Sequence, residues 1–143
     1  MSNELRIEGY EELFKRLEGM PAHIQKQAKG AVNATAQGIR STAIRSIQSH
    51  HSAGRTYTKY SPKREHTASA PGNPPNTDTG RLVGSIQVHD TGKLSAEVVA
   101  GVNYAAHLEF GTRHMAARPF MVPAVEAERP KFDRRLAKID LGK

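Results

Sequence analysis

The chain contains no cysteine and no tryptophan. A disulfide scaffold, a thiolate zinc site and cysteine catalysis are therefore excluded, and the composition suits folding in a reducing cytoplasm. Large aliphatic and aromatic residues are scarce: Leu, Ile, Val and Phe together supply 27 of 143 residues, just under the level of roughly 20% at which a strongly charged chain begins to look disordered. The apolar total of 37% hides this, because 18 of those residues are alanine, and alanine buries little of the surface that stabilises at roughly 25 cal/mol per Å². No stretch approaches the ~20 apolar residues that cross a bilayer. The N-terminus, with Glu4 and Glu8, lacks the apolar centre of a signal peptide. Neither a secretory signal nor a membrane partner is expected. Two absences are local: residues 19–64 contain no acid, and residues 48–81 contain no Leu, Ile, Val, Met or Phe.

What is present fits one domain over residues 1–143, with an extended assembly arm over 50–80, and is too short for a second ordinary core. A lone subunit built this way is marginal, and partner chains that bind only the folded form would supply the missing stability by mass action. The net charge of +7 permits contact with nucleic acid or an acidic protein surface without choosing between them.

Residues 4–8 alternate, with Leu5 and Ile7 on one side, as in an edge strand or extended arm. Leu13, Phe14 and Leu17 mark a short amphipathic helix ended by Gly19 and Pro21. Residues 21–49 then place Ile24, Ala28, Val32, Thr35, Ile39, Ala43 and Ile47 at steps of three and four, a single helical stripe roughly 43 Å long at 1.5 Å per residue. Gly30 and Gly38 within this helix cost about 1 kcal/mol each relative to Ala, which implies a close approach by another element. The same acid-free region carries eight positive charges, Lys26, Lys29, Arg40, Arg45, Arg55, Lys59, Lys63 and Arg64. They form either a solvated face or a surface turned to DNA or an acidic neighbour.

Prolines and glycines interrupt residues 48–81, so no core is expected there. Its length favours a docking arm over a passive linker, with Tyr57 and Tyr60 as amphipathic anchors. Beyond the arm, Asp78 and Thr79 are positioned to cap a turn carrying Leu82 and Val83. Ile86 and Val88 begin a strand, residues 90–93 turn with Gly92 at positive φ, and residues 94–102 return. Residues 104–110 read as a short helix with Ala105, Leu108 and Phe110 inward and Gly111 as a left-handed cap. A last helix opens at Pro119 and runs through Phe120, Val125, Phe132 and Leu136, with Pro123 and Pro130 expected to bend or interrupt it. The fold class is α+β: a long N-terminal helix and a C-terminal helix on a small antiparallel sheet.

Reaction chemistry is sparse. There is no HExxH, no glycine-rich phosphate loop after a strand and no GxSxG elbow. His107, Glu109 and His114 come nearest to a ligand cluster, but His107 and Glu109 lie two apart on a helix and point to different sides. No metal, cofactor or catalytic residue is expected. Glu109 and Arg118 are expected to form a charge-assisted pair, either within one subunit or between subunits. The long helix also lacks a helix-turn-helix partner and residues grouped for base edges.

Four motifs follow in order: Ala70-Pro71-Gly72-Asn73-Pro74-Pro75; Asp78-Thr79-Gly80-Arg81-Leu82 with Ser85-Ile86; Tyr104-Ala105-Ala106-His107-Leu108-Glu109-Phe110-Gly111-Thr112; and Ala117-Arg118-Pro119-Phe120. With a helix before and a helix after, the set resembles the gene-product-ten-like family of tailed-phage neck proteins, described as tail-completion or head-to-tail joining proteins. The resemblance implies a non-catalytic virion subunit of neck and tail, assembled in the host cytoplasm. It implies a hexameric homo-oligomeric ring between the head connector (stopper or adaptor) and the tail terminator or tail tube. Subunit and ring contacts are then expected from Tyr57 and Tyr60, from Pro71, Gly72, Pro74, Pro75 and Asp78 in the arm, and from Tyr104, Glu109, Phe110, Arg118 and Phe120 in the corner that follows. Lys26, Lys29, Arg40 and Arg45 are candidates to face genomic DNA in the channel or an acidic ring. The competing class is a sequence-independent DNA-binding protein, which would retard duplex DNA as a free monomer with a steep salt slope.

Overall fold

The computed structural model describes residues 9–49, 54–60 and 62–140, and the extended segment expected at residues 4–8 lies outside them. The spine is the helix α2, Ala22–Ser49, which follows α1, Glu11–Glu18. Its buried stripe comprises Ile24, Ala28, Ala31, Thr35, Ala36, Ile39, Ala43 and Ile47. Val32, expected in the stripe, is only half-buried. Ala31 and Ala36 take part instead, because the last helix α5, Met121–Ala137, packs along this side of α2. The two helices run antiparallel: Gln27 accepts from the Asp140 amide, Thr35 from Arg135, and Thr42 donates to Glu128.

The other wall is a hairpin of β3, Ile86–Gly92, and β4, Ser95–Ala100, paired antiparallel with Ile86 opposite Ala100 and Val88 opposite Val98. A register shift between Asp90 and Gly92 makes the turn, and Gly92 is not at positive φ as expected. Two long cations fix this sheet along α2. Arg40 donates to the Ile86 carbonyl at 2.8 Å. Lys29 reaches Asp90 and the carbonyls of Gly92 and Ser95, all between 2.6 and 2.7 Å. The main core lies between these layers, with Ile39, Ala43 and Ile47 against Leu82, Ile86, Ala105, Phe120, Met121 and Ala124. A smaller cluster of Leu17, Ile24 and Ala28 holds α1 to α2. The fold is α+β, as the periodicities imply, but its sheets are two separate two-stranded hairpins.

The second hairpin is a departure from expectation. Residues 56–67, read as arm without regular structure, form β1, Thr56–Tyr60, and β2, Lys63–Thr67, with Tyr57 opposite His66 and Lys59 opposite Arg64. Alternating Thr and Tyr are strand formers that need no aliphatic partner when neither face is buried. No helix packs broadly on this hairpin.

α5 continues through Pro130 without interruption. Buried Glu128 and Phe132 on either side of it offset the cost of the proline. Glu128 is 2% exposed; its Oε1 accepts from Thr42 at 3.2 Å and Lys131 at 2.9 Å, and its Oε2 lies 3.7 Å from Arg135. Burial pushes its carboxyl up, but the bonds from Lys131 and Thr42 outweigh this and hold it below the usual range. This carboxylate occupies the space that Gly38 leaves open: a Cβ there would stand 2.7 Å from Glu128 Cδ, whereas a Cβ on Gly30 meets nothing within 4 Å. The close approach inferred from the two glycines holds at Gly38 and fails at Gly30. Gly30→Ala should therefore stabilise the fold by about 1 kcal/mol. Gly38→Ala should destabilise it by about 1 kcal/mol or more, because displacing a buried, hydrogen-bonded carboxylate outweighs the helix-propensity gain. Urea unfolding of the two variants checks the opposite signs.

Candidate functional site

The corner after β4 begins with α4, Ala105–Phe110. Ala105 and Glu109, four apart, share the inward face, while Leu108 is half-buried. Phe110 is 51% exposed and does not point inward as expected, since the face opposite Glu109 and Ala105 looks to solvent. Gly111 has φ +76° but ψ 176°, so it is not a left-handed helical cap; a Cβ there would stand 2.8 Å from both the Ala117 nitrogen and the Met115 oxygen. Only glycine lets the chain double back at this point, and the Arg118 amide then donates to the Leu108 carbonyl.

Glu109 is 7% exposed and is not paired with Arg118. Its carboxylate instead accepts the backbone amides of Phe120 and Met121 at 2.9 Å and Val122 at 2.8 Å. These are among the donors that any helix N-terminus leaves without intrahelical partners. The next residue, Pro123, has no N–H to satisfy. Pro119 precedes the helix, and Phe120 is its N-cap, 2% exposed in the core. A negative charge at this end is also favoured by the helix dipole.

Arg118, freed from Glu109, donates through Nε to the Ser69 carbonyl at 3.1 Å, and the Gly72 amide donates to the Ala117 carbonyl at 2.9 Å. The arm is thus tied to the corner. Pro71 and Gly72 are exposed, Pro74 and Tyr104 half-buried, and Pro75 buried. Asn76 closes the arm onto β2 by donating to the Thr67 carbonyl. Asp78 does not cap α3, Arg81–Ser85, whose N-cap is Gly80 at φ +77° with no side-chain capping bond. It accepts instead from Arg64 at 3.1 and 3.2 Å and from Lys59, with His66 Nδ1 at 3.7 Å. Lys59 and Arg64 are directly opposite in the hairpin, where like charges repel, and Asp78 relieves that repulsion. Hydrogen bonds from Arg64 and then Lys59 hold its carboxyl far below the usual range.

Tyr60 is 78% exposed, and Tyr57, also exposed, lies under the Arg55 guanidinium at 5.6 Å. Of the four α2 cations, Lys29 and Arg40 are engaged within the chain, Lys26 is exposed, and the exposed Arg45 guanidinium hydrogen-bonds, among the described residues, to Ser41 and Thr42 of its own helix. Hairpin, arm and α4 border a cleft of about 450 Å³. Lys59, Arg64, Ser69 and Arg81 line it; the sequence marks the first two only as part of the basic stretch and Arg81 only within a motif, and it carries no signal for Ser69. The Thr/Tyr alternation of β1 was the available signal for the hairpin that carries the first two.

A family model described as "Bacteriophage HK97-gp10, putative tail-component" matches residues 11–111. The chain belongs to this family. The match runs from α1 to Gly111, so the phage tail component includes the spine, both hairpins, the arm and α4, while α5 lies beyond it. No curated protein and no solved structure matches the chain. No helix among the described residues is long and apolar enough to cross a membrane.

Glu109→Ala should cost about 3 kcal/mol, since it strands amides in a buried setting, and Glu109→Gln less, because one acceptor oxygen survives. Urea midpoints at constant slope measure both. Because the Asp78 carboxyl is depressed in the folded state, its contribution is full above the unfolded value of about 3.9 and is lost as pH falls through the depressed folded value. The hairpin amides should hold their native NMR shifts down to about pH 4 and move in more acidic solution. In Asp78→Asn the hairpin should already be frayed at neutral pH.

Proposed function

We propose that this tail component is a non-enzymatic structural subunit of a homo-oligomeric ring in the phage neck, where it joins the head connector to the tail. The observation that carries the reading is the β1–β2 hairpin, which displays Tyr57 and Tyr60 to solvent and on which no other element among the described residues packs broadly. An isolated two-stranded hairpin is marginal in water and is stabilised when a further surface packs on it. Tyrosines of this kind are enriched at interfaces because they bring large contact area with a polar tip. Family membership supports the setting.

In this reading the hairpin, the arm and exposed Phe110 meet neighbouring subunits or the rings stacked above and below. Glu109 and Phe120 shape that surface from inside, and Asp78 holds the hairpin out. Lys26 and Arg45 remain available to DNA or an acidic ring. A heterologous contact repeated around a rotation axis closes without leaving unpaired surfaces.

The test is a phage lacking the gene, complemented in trans. The double variant Tyr57→Ser, Tyr60→Ser should keep the helical circular dichroism and melting temperature of the wild type while filled heads and free tails accumulate unjoined. Normal yields of joined particles would refute the reading. Tight retardation of duplex DNA by the free wild-type monomer would favour the sequence-independent DNA-binding alternative.

A further inference from the structure

We propose that the cleft bordered by the hairpin, the arm and α4 is a carboxylate socket that takes an acidic side chain from a protein partner. This rests on the corner being an assembly surface and names the chemistry of what docks there.

The charge balance is the first observation. Among the described residues, Lys59, Arg64, Arg81 and Arg118 line the cleft, with His66 beside them, against a single acid, Asp78. Asp78 matches Lys59 and Arg64. Arg81 has no partner among the described residues, and Arg118 spends Nε on the Ser69 carbonyl with no acid beside it. A recess lined by one sign of charge concentrates its field on whatever enters.

The second observation is independent. Ser69 is 2% exposed, lines the same cleft, and its hydroxyl has no hydrogen-bond partner among the described residues. A buried polar group without a partner is costly in a folded protein, and an arriving acceptor removes that cost.

The occupant is chosen by shape and precedent. The guanidinium fork matches the two oxygens of a carboxylate, and Asp78 already demonstrates that this wall accepts one. A recess of about 450 Å³ admits a side chain but not a duplex. Clusters of arginine that receive acidic side chains are a recurring mode of peptide recognition.

Hexaglutamate peptide titrated into the full chain at low salt, followed by ¹⁵N NMR, should shift the signals of Ser69, Arg81 and Arg118. Arg81→Gln and Ser69→Ala should each weaken binding about tenfold. The charge-matched Lys93→Gln, remote from the cleft, should weaken it by less than about twofold. Ser69→Ala should melt no lower than the wild type, because the hydroxyl it removes is unpaired. Unchanged affinity in Arg81→Gln and Ser69→Ala, or no binding by the wild type, overturns the proposal. So does tighter occupation of the cleft by inorganic phosphate or a short duplex oligonucleotide. If hexaglutamate binds here while the tyrosine double variant still joins particles, the socket stands and the neck reading falls. The reverse pair of results removes the socket alone.

Discussion

The bond from Glu109 to the first amides of α5 is the constraint on which the outer half of the molecule depends. It joins a six-residue helix to a seventeen-residue one across a turn that only Gly111 permits. With that turn set, Arg118 is carried to the arm and fixes Ser69, Ala117 fixes Gly72, Asn76 fixes the end of β2, and Asp78 fixes the hairpin between Lys59 and Arg64. Structure is passed outward through hydrogen bonds from a buried core to a region with no Leu, Ile, Val, Met or Phe. Hydrophobic burial is concentrated at the start of this relay, in Phe120, Met121 and Ala124, with Pro75 its buried apolar residue in the arm.

The same economy governs the spine. A stripe in which four of the eight buried residues are alanine lets α5 and the β3–β4 hairpin come close to α2, but alanine buries too little to hold them there. Polar clamps supplement it: Arg135 on Thr35, Glu128 on Thr42 beneath Gly38, Lys29 and Arg40 on sheet carbonyls. A net contribution of roughly 0.5–1.5 kcal/mol per hydrogen bond makes such clamps better at fixing geometry than at raising stability. Such construction would suit the proposed ring, in which neighbours complete each copy.

What the sequence disclosed follows from that division. Period-3.6 stripes located α1, α2 and α5, and alternation located β3 and β4, because those elements bury side chains and burial leaves a pattern. Contacts to the main chain leave none. The sequence suggests a pair between Glu109 and Arg118, yet both take backbone partners, which no letter of the sequence marks. Lys29 and Arg40 read as surface charges for the same reason: their long stems reach carbonyls. Phe110 follows Glu109 directly, so burying one face of α4 turned the phenyl ring out. The β1–β2 hairpin was missed because two unburied strands carry no hydrophobic alternation, only strand-forming Thr and Tyr. Gly30 and Gly38 look alike in sequence and differ only in what lies across the helix, a partner 90 residues away for Gly38 and open space for Gly30.

These unpatterned contacts have an electrostatic consequence. Lys29 is the only one of the three cations Lys29, Arg40 and Arg118 with a carboxylate among its partners; Arg40 and Arg118 are held by carbonyl oxygens, which position a charge without cancelling it. The excess of +7 is therefore built into the folded subunit rather than neutralised within it. In the proposed ring, identical copies bring like charge together, and that repulsion opposes closure until acidic surface or DNA is present. Arg81, which has no partner among the described residues and lines the same cleft as Ser69, is where such a partner would meet least competition. In that proposed ring, a chain held together by internal polar contacts but left cationic would have its assembly tied to the arrival of the component it joins.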